Sequence, residues 1–501
     1  MDILLNNLYL IKPEIALSIA LAVIVTVDLI MHNNKKFLPY VALVGIAVGI
    51  IFVIEQFGFS TAVMQANQKL IAVDPFGAFF KILILFTSAL IIVFSIISKE
   101  VKESFERHGE YYALIFGMVI GMMFMVSSAD LILIYLSLEL VSLSSYVLSG
   151  FTKTSHRNSE ASLKYVIYGS VSSGLMLFGI SLLFGLTGTT NLYAINAFIV
   201  NSLGAGMLYS NLAFMLAGIL VFVGIGYKIS AAPFHFWTPD VYEGAPITIT
   251  AYLSIASKAA GFALLIRFIK ITFVNNVDAN GFWSVIPVID WQFFLIIISI
   301  LTMTLGNFAA LWQSNMKRLL AYSSIAHAGY LLLGLIVMSD QGITAIMVYF
   351  LVYAFMNLGA FLVVMLIANK IKSEELDDYK GLGYSAPFLS ICLGIFLVSL
   401  TGLPPTAGFI GKLYIFIALV DAKMITVAVI ALLNTVVSLY YYIRVLKNMF
   451  IDKPEIEPTM WKMSPAYIVL VLLLAVPTLV LGIYFGPLVE FAKNSVAMLN
   501  F

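Results

Sequence analysis

The sequence predicts an all-α membrane protein that crosses the bilayer about fourteen times. Hydrophobic residues make up 61% of its 501 residues and charged residues only 11%, and the mean hydropathy is +1.02. Soluble globular domains of this length do not have that balance. Apolar runs of about 20 residues, long enough to span the hydrocarbon core, recur from end to end. The short alternating strands of a membrane β-barrel are not seen in the sequence.

Each apolar run predicts one helix, and the polar residues between the runs set its limits. The loops are short, which indicates a single membrane domain over residues 1–501. In chain order the predicted helices one to fourteen are 9–30, 37–55, 76–98, 111–127, 129–150, 161–187, 210–230, 247–273, 292–312, 320–338, 343–369, 386–416, 424–447 and 465–488.

Composition excludes several classes of function. The net charge of +1 argues against a nucleic-acid partner. The single cysteine, Cys392, excludes a disulfide framework, a cysteine-ligated iron–sulfur cluster and a multi-cysteine zinc site. The first apolar run follows Pro13, is long enough to span and lacks a basic flank, so no cleavable signal peptide is predicted.

The charges of the loops predict the orientation of the chain. If the N-terminus lies outside, sixteen lysines and arginines fall in inward loops and six, including Arg267 and Lys270, fall on the outward side. The excess of basic residues marks the cytoplasmic side. Both termini are therefore predicted on the periplasmic side of a bacterial inner membrane.

Five lysines fall within predicted spans, where each charge costs ~2.5–3.5 kcal/mol and by default marks function. Lys81 lies one or two turns after the start of its helix and is predicted to extend to the membrane interface. The position of Lys164 at the start of helix six fits either that interpretation or a functional one. The remaining three lie deeper and are predicted to be functional: Lys228, Lys258 and Lys412.

One acidic residue, Glu139, lies at comparable depth in helix five. Ser142 lies one turn further along the same face of that helix. An unpaired glutamate in the membrane would take up a proton, so a lysine partner is expected. Either Lys228 or Lys164 could serve.

Two predicted helices are interrupted by proline. The run from Gly218 to Gly261 carries Lys228 and breaks at Pro233, and about 180 residues later SLTGLPPTAGFIGK contains a second break. Irregular backbone survives in the membrane only where it lines a polar cavity. Broken helices at corresponding positions predict two inverted five-helix repeats, 111–273 and 292–447, preceded by 1–110 and followed by 465–501.

Further polar residues extend along the second half. His327 lies in AYSSIAHAGY with two serines on its face, and it is predicted to relay protons rather than serve as a satisfied core histidine. Two polar stripes are interpreted as hydrogen bonds between helices: Tyr349, Tyr353 and Asn357, and Asn434 with Ser438.

Three segments carry a resemblance to a known family. PFHFWTPDVYEGAP, NMKRLLAYSSIAHAGY and GLPPTAGFIGK resemble the antiporter-like membrane subunits of proton-pumping NADH:quinone oxidoreductase, respiratory complex I. The resemblance extends from the first helices to Lys447. The segment DVYEGAP and the ending GFIGK resemble the subunit N branch rather than the L or M branches.

The resemblance implies a proton-translocating subunit of the membrane arm, part of a translocase enzyme but without a redox centre of its own. FMN, iron–sulfur clusters and a quinone are expected in partner subunits. The expected partners are the M, K and J types and the lateral helix of L. The residues that match the family's proton path are Glu139 in helix five, Lys164 in helix six, Lys228 at the break of helix seven, Lys258 in helix eight, His327 in helix ten and Lys412 in helix twelve.

The mechanism expected from this resemblance passes a proton from Lys228 through Lys258 to Lys412, driven by changes in the pairing of Lys228 with Glu139. Three classes of protein remain open from the sequence: the complex I subunit, a subunit of an Mrp-type cation/proton antiporter or membrane-bound hydrogenase, and a structural spacer. Several intramembrane lysines argue against the spacer. Either NADH or ferredoxin could be the electron donor.

Overall fold

The computed structural model describes residues 8–31, 35–58, 70–103, 107–152, 156–204, 211–452 and 460–498. Within these ranges twelve helices are long and apolar enough to cross a membrane, and shorter apolar helices accompany them. The first half contains α1 (Lys12–Ile30), α2 (Leu38–Gln56), α3 (Pro75–Ile97), α4 (Lys99–Lys102), α5 (His108–Ser127), α6 (Leu131–Ser149), α7 (His156–Thr187), α8 (Leu192–Gly204), α9 (Asn211–Lys228), α10 (Trp237–Gly244), α11 (Ile247–Tyr252) and α12 (Lys258–Phe273).

The second half begins with an antiparallel hairpin of two short strands, β1 (Val274–Val277) and β2 (Trp283–Val285). Its helices are α13 (Trp291–Ala310), α14 (Met316–Ile336), α15 (Asp340–Ile371), α16 (Leu382–Ser385), α17 (Pro387–Thr401), α18 (Ala407–Asp421), α19 (Ile425–Phe450), α20 (Pro465–Ile483) and α21 (Gly486–Asn494).

Every predicted apolar run corresponds to helix, and the differences have simple causes. Helix α8 was not predicted because its 13 residues fall short of the spanning length. The hairpin was not predicted either, since its strands have only four and three residues. The run 386–416 forms two helices, α17 and α18, separated at the predicted break.

The centre of the molecule is a continuous helical stretch from Ile247 to Phe273, and every residue in it is buried. It consists of α11, a π-helical turn over Leu253–Ser257, and α12. A π-helical turn widens the helix locally and is frequent at functional sites. Lys258 is the first residue after it. Helices α14 and α15 are also almost entirely buried, whereas α1, α2, α7, α19 and α20 expose broad apolar faces.

Both predicted breaks are present. Helix α9 ends at Lys228, and the chain continues through Ser230, whose φ is +61°, before α10 begins. Helix α17 ends at Thr401, and the next residue, Gly402, has a φ of +89°. That left-handed conformation favours glycine, and a Cβ there would lie 2.8 Å from Cδ of Lys412. The second break therefore requires glycine for two reasons.

Three buried cations form ion pairs that the sequence did not predict. Lys81 does not extend to the interface: it is 1% exposed and its Nζ lies 2.7 Å from Oε1 of Glu14. Both groups are buried, Glu14 at 2% exposed, so pairing replaces solvation. Arg267 and Lys270, counted above as outward charges, are also buried. They pair with aspartates, Arg267 with Asp74 and Lys270 with Asp340.

Candidate functional site

The first predicted site residue, Lys228, is the last residue of α9 and is 1% exposed. Its Nζ donates a hydrogen bond to the hydroxyl of Ser142 on α6, at 3.4 Å. Helix α12 approaches closely at this point because Gly261 has no side chain: a Cβ there would lie 2.7 Å from Ile229. The break after α9 thus places the amine among α6 and α12.

The carboxylate of Glu139 lies one turn before Ser142 on α6. Its Oε1 is buried and has no hydrogen-bond partner. In the part of the chain that the structure describes, no lysine or arginine nitrogen lies within 4.0 Å of this carboxylate. The predicted direct ion pair is therefore not formed among the described residues, and the hydrogen-bond partner of Lys228 is the hydroxyl of Ser142.

Lys164 was the other predicted partner of Glu139, and the structure places it elsewhere. Its Nζ lies 2.6 Å from Asp240 on α10 and 2.7 Å from Glu160 on its own helix. Asp240 also pairs with Arg318 of α14, at 2.6 Å. Burial raises the pKa of Asp240, but its hydrogen bonds to the two cations outweigh burial and lower the pKa overall. Lys164 thus belongs to a charged network that holds α10 between α7 and α14.

Lys258 lies directly after the π-helical turn and is 1% exposed. Its Nζ donates a hydrogen bond to the backbone carbonyl of Ser324 on α14, at 2.9 Å. One turn earlier on its own helix, the hydroxyl of Ser254 accepts a hydrogen bond from the amide of Asn357, at 2.7 Å. Lys258 is therefore bound by neutral groups.

His327 lies one turn after Ser324 on α14, and both of its ring nitrogens contact tyrosines. Nδ1 is 2.5 Å from the hydroxyl of Tyr349, and Nε2 is 3.4 Å from that of Tyr442. The hydroxyl of Tyr442 continues to Ser323 at 2.5 Å. A histidine with a hydroxyl on each nitrogen can accept a proton on one side and release it on the other.

Lys412 lies in α18, after the second break, and is 4% exposed. Its Nζ donates a hydrogen bond to the carbonyl of Thr401 at 2.7 Å, a carbonyl left free of helix bonding where α17 ends. It also lies 4.5 Å from the ring centre of Tyr330 on α14. Carbonyl and ring together bind the amine without a carboxylate.

Helix α14 connects these groups. Ser324, His327 and Tyr330 follow one another at intervals of three residues and lie on one face. At one end of this row is Lys258 and at the other is Lys412. Several buried polar atoms of the described residues lie around it: the hydroxyls of Tyr242 and Tyr353 approach that of Ser324, and the amide oxygen of Asn357 has no hydrogen-bond partner. Such atoms are ordinarily satisfied by water, which also carries protons.

Sequence reasoning missed the tyrosines. Tyr349 was interpreted only as a contact between helices, and Tyr330 and Tyr442 were not singled out. The signal was weak because tyrosine buries well as an apolar residue and its hydroxyl contributes little to a hydropathy pattern. By contrast, Asn434 does join helices as predicted: Asn307 of α13 donates to it at 3.2 Å.

Comparison with known proteins identifies the family. A family model described as NADH:quinone oxidoreductase/Mrp antiporter, TM, matches residues 128–438. Subunit N 2 of NADH-quinone oxidoreductase from Chloroherpeton thalassium is 47% identical over 496 residues, covering 97% of this chain and 94% of that one. The chain belongs to the subunit N family of NADH-quinone oxidoreductase. This confirms the predicted family and the predicted antiporter-like helical membrane fold.

Solved structures agree. A chain of respiratory complex I from Thermus thermophilus with bound aureothin is 29% identical, with a TM-score of 0.76 over 96% of this chain and 99% of that one. A chain of the Mrp complex from Dietzia sp. superposes with a TM-score of 0.82 over 98% and 97%, but is only 20% identical. That second likeness shows a shared fold, so the antiporter alternative is less well supported than the complex I family.

Proposed function

We propose that this chain translocates protons across the membrane within a NADH-quinone oxidoreductase complex, and that Lys228, Lys258 and Lys412 carry them. The supporting observation is the nature of their partners. Each amine is almost fully buried, and its hydrogen bonds go to a serine hydroxyl or a backbone carbonyl. A carboxylate close by would hold a lysine in its charged form, whereas neutral acceptors in a buried site let the proton leave.

The first step concerns Glu139 and Lys228, because the hydroxyl that binds Lys228 belongs to Ser142, one turn after Glu139 on α6. A change of geometry that brings the carboxylate to the amine would favour the charged lysine. Separation of the two would favour release. One unit of pKa corresponds to about 1.4 kcal/mol, so a change in one buried pair alters proton occupancy by orders of magnitude. Ser142 can hold the amine while the pair is separated.

The second step moves the proton from Lys258 to Lys412 along α14. Ser324 contacts the first lysine, Tyr330 contacts the second, and His327 lies between them with a hydroxyl on each nitrogen. The buried polar atoms nearby provide positions for bridging water. His327 serves as the intermediate proton acceptor in this row.

The energy for transport arrives from other subunits of the complex. FMN, iron–sulfur clusters and a quinone belong to those partners. Cys392, the single cysteine, is buried and cannot form a ligand set by itself. The membrane neighbours are subunits of the M, K and J types and the lateral helix of L. Both termini lie on the periplasmic side of a bacterial inner membrane, although residues 1–7 and 499–501 fall outside the described ranges.

Two inverted repeats, 111–273 and 292–447, organise the path. Their support is the pair of broken helices, one in each half, with a lysine beside each break. Lys228 precedes its break and Lys412 follows its own. Residues 1–110 and 465–501 lie outside the repeats, and Lys164 contributes to the charged network rather than directly to the path.

The test is substitution of Lys228 or Glu139 by alanine in the assembled complex, reconstituted into vesicles. Proton translocation is measured with a pH-sensitive dye while quinone reduction is followed by NADH oxidation. The proposal expects fewer protons per electron with assembly intact. An unchanged ratio in both variants would contradict it.

A further inference from the structure

A polar cavity opens on the face that the loop charges predict to be cytoplasmic. Its volume is about 530 Å³, and its wall combines cations and carboxylates from several parts of the chain. The residues that matter here are Lys99, Glu100, Glu103, Arg157, Ile247 and Glu374. The presence of Ile247 is informative, because this residue begins the buried helix that carries Lys258.

Glu100 connects the cavity to that helix. Its Oε2 accepts a hydrogen bond from the backbone N–H of Ile247, at 3.0 Å. Burial raises the pKa of Glu100, and the charge of Lys317 offsets only part of this effect. Lys317 itself pairs with Glu374 at 2.9 Å, and Glu103 adds a further negative charge nearby. Such a carboxyl can hold a proton closer to neutral pH than an ordinary glutamate.

Several buried hydroxyl groups lie on the helix between Ile247 and Lys258. At residue 248, next to Ile247, the hydroxyl of Thr248 is hydrogen-bonded to that of Tyr111 at 2.9 Å. Thr250 and Ser254 follow on the helix, and Lys258 comes four residues after Ser254. The twelve residues from 247 to 258 span roughly 16 Å at the α-helical rise. Every one of them is buried.

We propose that Glu100 is the entry carboxyl of the proton path, taking protons from the cavity and delivering them toward Lys258 along the hydroxyl groups of α11. In each cycle the carboxylate of Glu100 takes up a proton from the aqueous cavity and becomes a carboxylic acid, which releases a proton toward Thr248 and so becomes a carboxylate again. This inference rests on the proposed function and extends it by naming the entrance. Nothing but protons and water needs to pass.

The competing explanation is structural: Glu100 could simply satisfy the N–H of Ile247 at the start of the helix. Glutamine can replace Glu100 in the structural role but not in the proton-transfer role. The side-chain oxygen of Glu100→Gln can still accept that hydrogen bond, but the amide cannot carry a proton at neutral pH. A purely structural role therefore predicts that Glu100→Gln behaves like the unmodified chain.

The experiment compares Glu100→Gln with Glu103→Gln in the reconstituted complex. Glu103 is an exposed carboxylate on the same cavity, so its substitution matches the change of charge. We expect at least a tenfold slower proton uptake in Glu100→Gln, near-normal uptake in Glu103→Gln, and recovery of the former when formate, a small weak acid, is added. The tenfold threshold lies below what proton transfer by a positioned side chain contributes, on the order of 10²–10⁴.

Normal uptake by Glu100→Gln would overturn the inference, and so would a slow uptake that formate does not restore. Lys258→Met separates this failure from that of the proposed function. If Lys258→Met stops translocation while Glu100→Gln does not, only the role of Glu100 as the entry carboxyl is wrong. If Lys258→Met also translocates normally, the proposed function itself is wrong.

Discussion

Two groups of buried cations in the membrane-spanning part differ in what lies beside their nitrogen atoms. Lys81, Arg267 and Lys270 each have a carboxylate within 2.8 Å. Lys228 and Lys258 are just as deeply buried, yet their partners are a hydroxyl and a carbonyl. A paired cation stays charged and stabilises the structure, whereas a cation among neutral acceptors can exchange its proton. The partner, more than burial, distinguishes these structural cations from the lysines that we propose to carry protons.

The largest effect is expected for Lys258→Arg. Arginine keeps the charge and can still donate to the carbonyl of Ser324, but it does not release a proton. Translocation through this chain should fall on the order of 10²-fold, as it should in Lys258→Met. The measurement is dye-detected proton transport in vesicles. Lys81→Arg is the matched control, because its partner Glu14 requires only a positive charge. Normal transport in Lys258→Arg would show that Lys258 acts as a permanent charge and does not exchange its proton.

A large loss of stability is expected for Arg267→Ala. The guanidinium makes two hydrogen bonds of 2.8 Å to the carboxylate of Asp74. Removing one partner of a buried pair costs about 3–5 kcal/mol because the other charge remains without compensation. The thermal midpoint of the purified complex should therefore fall.

The control for that prediction replaces both partners. In Arg267→Met combined with Asp74→Asn, the asparagine oxygen can still accept from the N–H of Gly77, as Asp74 does now. Most of the stability should return. If Arg267→Ala keeps its thermal midpoint but loses proton transport, Arg267 belongs with the functional lysines and the division is wrong.

A smaller effect is expected for Tyr349→Phe, which removes the hydroxyl from Nδ1 of His327. One such hydrogen bond contributes about 1 kcal/mol, so transport should slow roughly fivefold. Tyr353→Phe is the control, since the ring of Tyr353 lies 5.0 Å from that of His327 while the described hydrogen bonds of His327 go to Tyr349 and Tyr442. Equal rates in the two variants would show that the hydroxyl of Tyr349 does not act on His327.

The sequence was sufficient for the helices, the two breaks and the deep lysines, since each follows from a local signal. A lysine within an apolar run and prolines within a predicted span stand out without any knowledge of neighbours. The acidic partners of the buried cations were not predictable from the sequence. Glu14 lies near the start of α1 and Lys81 on α3, so only the packing of the two helices reveals that they meet.

The same limit explains Lys164 and Glu100. Lys164 was matched to Glu139 by its place in the chain, but packing of α10 brings Asp240 closer. Glu100 resembled an ordinary loop acid, and its contact with the buried helix depends on residues far away in the sequence. Polar residues that act through distant partners give no periodic signal.

The most direct measurement is the number of protons translocated per electron in two complexes, one with Lys228→Ala and one with Lys270→Ala. Both substitutions remove a buried lysine, but Lys270 has a carboxylate partner and Lys228 does not. The ratio should fall with Lys228→Ala and stay unchanged with Lys270→Ala, provided that both complexes assemble. Equal ratios in the two complexes would contradict the account.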